Sequence, residues 1–402
     1  MTTNIQLTTL LYDLGKWAGL VGFFCLTLLI TSGDTARFFD RYFGMDKIIK
    51  FQRKFALITT FFVVLHPIFF ILSSKSILRF IIPNFAVMPL ALGIIAFYIF
   101  LVVGAASHFY KKISYNYWQI IHVLNYLLFF ASLFHAFNWG SDSENILVRI
   151  LYILSLIAIV MSAIYRTQYK LRKRWGGKFI VENIIQETKD TFTIVVKPEK
   201  KLNFKAGQFC FLRINKNKLH ARHPFSMSSA PQDHNLQFTI KMAGRFTDTA
   251  SKINKGDEIL TDGPFGRFIE KGDKKNLVFI AGGVGITPFM SIIRDHVIQN
   301  NPRKITLLYG SKTTEDVIFK NELNNIKNDW FKVVHVLSED QTTPAPYEHG
   351  RIDENLIKKY ISNFSNSLFY ICGPEEMKSS VIQTLLNNGV DKKDIIFEDF
   401  FW

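Results

Sequence analysis

The pattern of apolar and polar positions divides the chain into two kinds of text. Five apolar stretches, at approximately 14–32, 54–73, 85–107, 117–138 and 146–165, each approach the ~20 residues that a helix needs to cross a bilayer. From about residue 176 the runs become short. "TFTIVVKP" and "LQFTIKMAG" alternate with period two and predict strands of an antiparallel barrel. After residue 273 the period changes again. "KNLVFIAGG" reads as a buried strand, "TPFMSIIRDHVIQN" as an amphipathic helix, and "KITLLYGS" and "NSLFYICGP" as further strands, which together predict a parallel sheet. The expected architecture is multi-domain. A membrane α-helical bundle covers 1–174, an antiparallel β-barrel 175–272, and an α/β domain with a parallel sheet 273–402.

Charge orients the bundle. The net charge of +15 is clustered beside the apolar runs: Arg37, Arg41, Lys47, Lys50, Arg53 and Lys54 after the first, Lys111 and Lys112 after the third, and Arg166, Lys170, Arg172, Lys173 and Arg174 after the fifth. The positive-inside rule then predicts a multi-pass protein of the cell membrane, with its N-terminus outside and everything after residue 166 in the cytoplasm. Basic flanks of this kind suit a lipid bilayer and exclude a nucleic-acid binder, which needs a basic stripe on a defined module. Three scattered cysteines, Cys25, Cys210 and Cys372, form neither a disulfide framework nor a zinc site. The first apolar run lacks a small-residue cleavage site, so no cleavable signal peptide is expected. No obligate protein partner is evident.

Two stretches of the C-terminal half carry chemistry. In "IAGGVGITPFMS" a buried strand ends at Gly282 and Gly283, Gly285 lets the backbone approach an anion, and Thr287 and Pro288 suit the start of a phosphate-binding helix. A plain glycine-rich strand-to-helix turn is the alternative. In "RHPFSMSSAP", Phe225 is placed to pack on a flavin ring and Ser226 to hydrogen-bond it. In "KMAGRFTD", Lys241, Gly244 and Thr247 combine to hold a pyrophosphate. The strand ending "YGSKTTED" shows no immediate carboxylate for a ribose diol. Ser311 and Lys312 could receive a 2′-phosphate instead, which leans to NADPH over NADH.

The order HPFS, G-x-F-T, "GPFG", "GGVGITP", "CGPEEM" and "FEDFFW" resembles the ferredoxin–NADP reductase-like dehydrogenases over residues 176–402. The resemblance implies FAD at His223, Pro224, Phe225 and Ser226, with Lys241 near its pyrophosphate. It implies a nicotinamide-dinucleotide turn at Gly282, Gly283, Val284, Gly285 and Thr287. Cys372, Gly373 and Pro374 match the segment beside the nicotinamide, and Phe400 the aromatic that covers the flavin and must move for hydride transfer, although Phe401 and Trp402 extend past it.

Four histidines fall in or beside the apolar runs: His66, His108, His122 and His135. Titratable groups there default to a functional reading, and haem held by two axial imidazoles needs them on facing helices at matching depth. His66 and His135 fall at outer depth, His122 and His108 at inner depth. His122 and His135 are separated by about 20 Å of helix rise and roughly 140° of rotation, so two haems stacked across the membrane require an irregular helix or differently placed sites. The alternative is a histidine bonded to a neighbouring helix.

"FQRKFALITTFFVVLHP" and "YNYWQIIHVLNYLLFFASLFHAF" resemble the transmembrane domain of the ferric reductase and NADPH oxidase family. There the first piece carries two haem histidines fourteen residues apart, and the second carries two thirteen apart. Here the position fourteen before His66 is Gln52. Three readings stand: His108 substitutes, or an inner haem has His122 with Gln52 or water opposite, or there is no inner haem. The resemblance implies electron flow from cytosolic NAD(P)H through FAD and one or two b-type haems to an external acceptor. That acceptor is dioxygen, giving superoxide, or a ferric complex. The rivals are a membrane haem sensor with a regulatory flavin domain, and a flavin reductase anchored by an inert bundle.

Overall fold

A computed structural model describes residues 2–74, 76–110, 112–113, 115–174, 177–214, 222–271, 276–340, 342 and 345–398. Phe400, Phe401, Trp402 and the expected boundary at 272/273 lie outside them. The chain forms two compact units, Met1–Arg174 and Trp175–Trp402.

In the first unit, five helices are long and apolar enough to cross a membrane. They are α1 (Thr2–Asp34), α3 (Met45–Ser74), α5 (Met88–His108), α6 (Tyr115–Trp139) and α7 (Ile146–Arg174), with the short α2 (Ala36–Phe43) and α4 (Leu78–Ile81) between. The basic stretch expected to be a loop before residue 54 is instead α2 and the first turns of α3. Large apolar side chains such as Leu57, Ile120 and Leu147 are exposed, as lipid-facing helices require. Inside, Phe23, Leu26, Leu128, Phe129, Tyr152 and Ile159 form one cluster.

Small residues let helices approach. α1 runs antiparallel to α3 with Gly15, Gly19 and Gly22 turned to it, and a Cβ on any of the three would come within about 3.1 Å of an α3 side chain. Elsewhere in the unit, the buried Asp34 at the end of α1 accepts from Arg166 (2.8 Å), Tyr126 (2.7 Å) and Ser162 (3.3 Å), which ties α1 to α6 and α7.

The second unit begins with six antiparallel strands: β1 (Lys178–Thr188), β2 (Thr191–Pro198), β3 (Phe209–Ile214), β4 (His223–Ser226), β5 (Leu236–Lys241) and β6 (Glu258–Phe265), with α8 (Arg245–Ala250) between the last two. Their order is β4-β3-β6-β1-β2-β5, and a bridge from Met227, just past β4, to Phe238 in β5 curls the sheet on itself. Alternate strand residues such as Ile194, Val196, Leu212 and Phe238 fill its core.

A parallel sheet follows, built from β7 (Asn276–Gly282), α9 (Thr287–Gln299), β8 (Ile305–Ser311), α10 (Lys320–Asn325), β9 (Phe331–Leu337), β10 (Glu348–His349), α11 (Glu354–Tyr360), β11 (Ser367–Cys372), α12 (Glu375–Asn387) and β12 (Ile395–Phe397). The order β10-β9-β8-β7-β11-β12 reverses direction between β7 and β11, the point where doubly wound sheets bind ligands. α9 joins sheet to barrel. Arg294 donates to Ser228 O (2.8 Å) and Gln237 Oε1 (2.9 Å) while held by Glu322, and Ser291 Oγ donates to Ser229 O (2.7 Å).

Candidate functional site

The sequence-predicted turn sits at the switch point. Gly283 has φ +54°, a conformation that favours glycine. A Cβ on Gly285 would lie 2.3 Å from Cys372 O, and one on Gly282 would strike Pro374 and Met377. Gly282, Gly285, Cys372, Gly373 and Pro374 are therefore brought together at the ends of β7 and β11. Val284 is half-buried against the sheet core. Thr287 departs from the expected cap: its hydroxyl donates to Val284 O (2.7 Å) and closes the turn, and Pro288 opens α9.

In the barrel, β4 pairs with β3 so that Ser226 faces Phe209. The Ser226 hydroxyl is buried with no hydrogen-bond partner among the described residues. Such a group calls for a hydrogen-bond partner that these protein atoms do not supply. The Phe209 ring lies against Gly266, and the carboxylate of Glu398 packs on that same glycine. Glu398 is buried in turn. Burial, and then the Glu398 charge, push the Cys372 thiol well above its ordinary range, so it stays neutral. Glu398, in the "FEDFFW" motif, thus lies near both Gly266 of the barrel and Cys372 at the end of β11.

Two expected contacts are differently engaged. Phe225 stacks on Phe246 (5.7 Å, 23°), and His223 lies 4.2 Å from the same ring. Phe225 is partly buried and packs against the barrel core. Lys241 is paired with Asp190 (3.1 Å). Burial pushes the Asp190 carboxyl up, but bonds from Lys241, Thr191 and Thr188 outweigh it and hold the group below the usual range. Thr247 Oγ1 accepts from Ala243 N (2.8 Å) and Gly244 N (3.0 Å), and the space above Gly244 is open.

At the end of β8, Lys312 is not a free cation. Its Nζ lies 2.8 Å from Glu339 Oε1, just past β9, and Glu339 N donates to Lys312 O (2.9 Å). The carboxylate missing from the β8 sequence is supplied by the neighbouring strand.

In the membrane unit, His66 and His135 line one cavity of about 570 Å³. Their ring centroids are 6.1 Å apart and their planes cross at 79°. His66 Nδ1 donates to Gly15 O on α1 (2.8 Å), and His135 Nδ1 to Pro89 O on α5 (2.9 Å). A carbonyl only accepts, so each Nδ1 carries the proton and each Nε2 keeps its lone pair. Both rings rest on glycine: a Cβ would lie 2.4 Å from His66 Nδ1 at Gly19 and 2.6 Å from His135 Nδ1 at Gly93. Two imidazoles sharing one metal at about 2.0 Å, plus about 1.2 Å from each nitrogen to its ring centre, place centroids roughly 6 Å apart. The observed 6.1 Å separation is the one a shared iron between two imidazoles would require. Among the described residues, no group of three or more His, Cys, Asp and Glu is set to hold a bare metal ion. Lys16, Arg79 and Asp142 also line the cavity, with Lys16 and Asp142 paired at 3.0 Å.

The inner histidines are not arranged this way. His122 Nδ1 turns to its own helix, donating to Trp118 O (2.8 Å), and Nε2 lies 3.1 Å from Ser107 Oγ. His108 is exposed, edge-on to Phe109. The structure brings Ser107, not His108, to His122.

Comparison with known proteins decides the family. Residues 18–133 match the family of ferric reductase-like transmembrane components, 178–268 an FAD-binding domain and 279–383 an oxidoreductase NAD-binding domain. The chain joins a ferric reductase-like transmembrane component to a ferredoxin reductase-like FAD- and NAD-binding unit, the architecture of ferric reductase-like membrane oxidoreductases. This membrane oxidoreductase is similar, over 205 residues at 30% identity, to sulfhydrogenase 2 subunit gamma of Pyrococcus furiosus, covering 48% of the reductase and 70% of that protein. It is 28% identical over 232 residues to the reductase component of propane 2-monooxygenase from Rhodococcus jostii, spanning 55% of the reductase and only 62% of that relative. A ferredoxin NADP+ reductase from Neisseria gonorrhoeae with bound FAD and NADP superposes at TM-score 0.50 and 25% identity, covering 56% of the reductase and 98% of that chain. The reductase therefore carries electrons from NAD(P)H through FAD in a membrane-embedded protein.

Proposed function

We propose that this reductase passes electrons from cytosolic NADH through FAD to a b-type haem held by His66 and His135, and from there to dioxygen outside the cell. The observation that carries the haem is the 6.1 Å imidazole pair, each ring fixed by a helix carbonyl and seated on a glycine inside one cavity. When bound, haem supplies one-electron chemistry that breaks the hydride pair of a reduced flavin into single steps. Arg79, in the cavity lining, offers a cation to a carboxylate of a porphyrin.

Residues 178–268 hold FAD, with Ser226 bonding the flavin ring and Lys241, Gly244 and Thr247 near its pyrophosphate. The turn at Gly282–Gly285 faces the dinucleotide phosphates, and Cys372, Gly373 and Pro374 flank the nicotinamide. By the family resemblance, the role of the aromatic that covers the flavin falls to Phe400. The basic clusters after α1 and in the last turns of α7 support an N-terminus outside and the dehydrogenase in the cytoplasm, with domains at 1–174, 175–272 and 273–402.

Dioxygen is favoured over a ferric complex because Asp142, one of the acidic groups available to a metal chelate at the cavity, is committed to Lys16. With both histidines as its ligands, a bound haem would have no open position for oxygen, and it would supply single electrons by outer-sphere transfer. The test is anaerobic reduction of the purified protein by NADH, followed by air or ferric citrate. A haem spectrum that appears with NADH and is discharged faster by oxygen, with superoxide formed, supports the reading. Faster discharge by ferric citrate converts it to a ferric reductase, and a protein without haem overturns it.

A further inference from the structure

We infer that this chain holds one haem, between His66 and His135, and that Ser107 and Gln52 close the position where a second would sit. The inference rests on the proposed haem at the outer pair.

α5 repeats the outer arrangement fourteen residues later with one decisive change. His135 donates to Pro89 O and its ring lies on Gly93. The counterparts fourteen residues on are Val103 and Ser107, and thirteen back from His135 is His122. Ser107 fills the space that glycine leaves free at Gly93. Its hydroxyl lies 2.8 Å from Val103 O, the carbonyl that would otherwise receive an imidazole Nδ1. His122 is turned about accordingly. Its Nδ1 goes to Trp118 O, the Trp118 ring lies over it at 3.9 Å, and the Nε2 lone pair that iron would need faces Ser107.

The opposite wall departs in the same place. α1 keeps a glycine fourteen residues after Gly19, at Gly33. Against it lies Gln52, whose Nε2 is 3.5 Å from Ser32 Oγ, the limit of a hydrogen bond, and 3.7 Å from a Cβ built on Gly33. A neutral amide is a poor ligand for haem iron, since its nitrogen has no available lone pair and its oxygen is a weak, hard donor. Gln52 faces α1 and His122 Nε2 faces Ser107 of α5, whose single proton goes either to it or to Val103 O, whereas the outer histidines meet their neighbouring helices through Nδ1.

The measurement is the ratio of haem to FAD in the purified full-length protein, by pyridine haemochromogen and extracted flavin. One haem per FAD is expected in the wild type, in His122→Ala and in His108→Ala, and none in His66→Ala or His135→Ala. The double variant Gln52→His/Ser107→Gly is expected to rise towards two, with a second midpoint in a redox titration. Two haems per FAD in the wild type, or a fall in His122→Ala, overturns the inference. A double variant that keeps its FAD and stays at one haem overturns the assignment of these two residues as the closing pair. A wild type with no haem instead sinks the proposed function, so the two failures are told apart.

Discussion

His66 and His135 hang from backbone carbonyls of different helices, Gly15 O and Pro89 O, and in both cases the carbonyl lies four residues before the glycine on which the ring rests. The two halves of the cavity are built to one plan, with α1 holding the histidine of α3 and α5 holding that of α6.

The first prediction follows from that plan. Gly93→Ala places a methyl group within about 2.6 Å of His135 Nδ1, against a small residue's usual freedom at helix contacts. We expect most of the haem to be lost while FAD content and membrane insertion are retained, read as the Soret absorbance per flavin. Gly104→Ala, where a Cβ meets nothing within 4 Å, is the control.

Ser226→Ala removes the buried hydroxyl that has no protein partner among the described residues. If it bonds the flavin, hydride transfer should slow by about 10²-fold, the scale of losing one positioned donor. Flavin bleaching by NADH in a stopped-flow instrument reads this directly, at unchanged FAD occupancy.

Glu339→Gln frees Lys312, now paired at 2.8 Å. The wild type should prefer NADH, because a 2′-phosphate would meet the Glu339 carboxylate. The variant should raise the NADPH-to-NADH ratio of kcat/KM by about tenfold, on the order of one charge-assisted hydrogen bond. Ferricyanide as acceptor keeps this measurement independent of haem.

Asp34→Asn breaks a buried ion pair with Arg166. Removing one partner of such a pair costs about 3–5 kcal/mol, whereas replacing both with apolar residues is close to neutral. Thermal unfolding in detergent should show the single variant destabilised and Asp34→Leu/Arg166→Met largely restored.

His335 is buried in the parallel sheet, which lowers its pKa to about 4; the charge of Lys320 adds to the effect. The unfolded imidazole takes up a proton near pH 6.5 and the folded one only near 4, so stability is full above 6.5 and falls as pH drops between the two. The loss reaches about 3 kcal/mol below that window. His335→Gln should flatten the acid limb of the unfolding profile.

Much of this was legible in the sequence. The five apolar runs became the five long helices, and the change of period near residue 273 became the parallel sheet, because both signals are local. The glycines of "GGVGITP" were legible for the same reason. What spacing could not show were groups that meet across elements. Glu339 reaches Lys312 from the next strand, Glu398 comes back from the chain end to Gly266, and Ser107 arrives beside His122 from another helix. The basic segment before residue 54 looks like a loop from its charge alone, although Asp40 accepts from Met45 N to join α2 and α3 across Gly44.

Arg294 gives the dehydrogenase half a further property. One guanidinium bonds the barrel at Ser228 and Gln237 and the nucleotide lobe at Glu322. The lobes are stapled through the first helix of the nucleotide fold, so swinging them apart to admit the coenzyme would break the two Arg294 bonds to the barrel together with the Ser291–Ser229 bond. Docking in this enzyme therefore belongs to a small local displacement at the flavin face, and turnover should be insensitive to solvent viscosity.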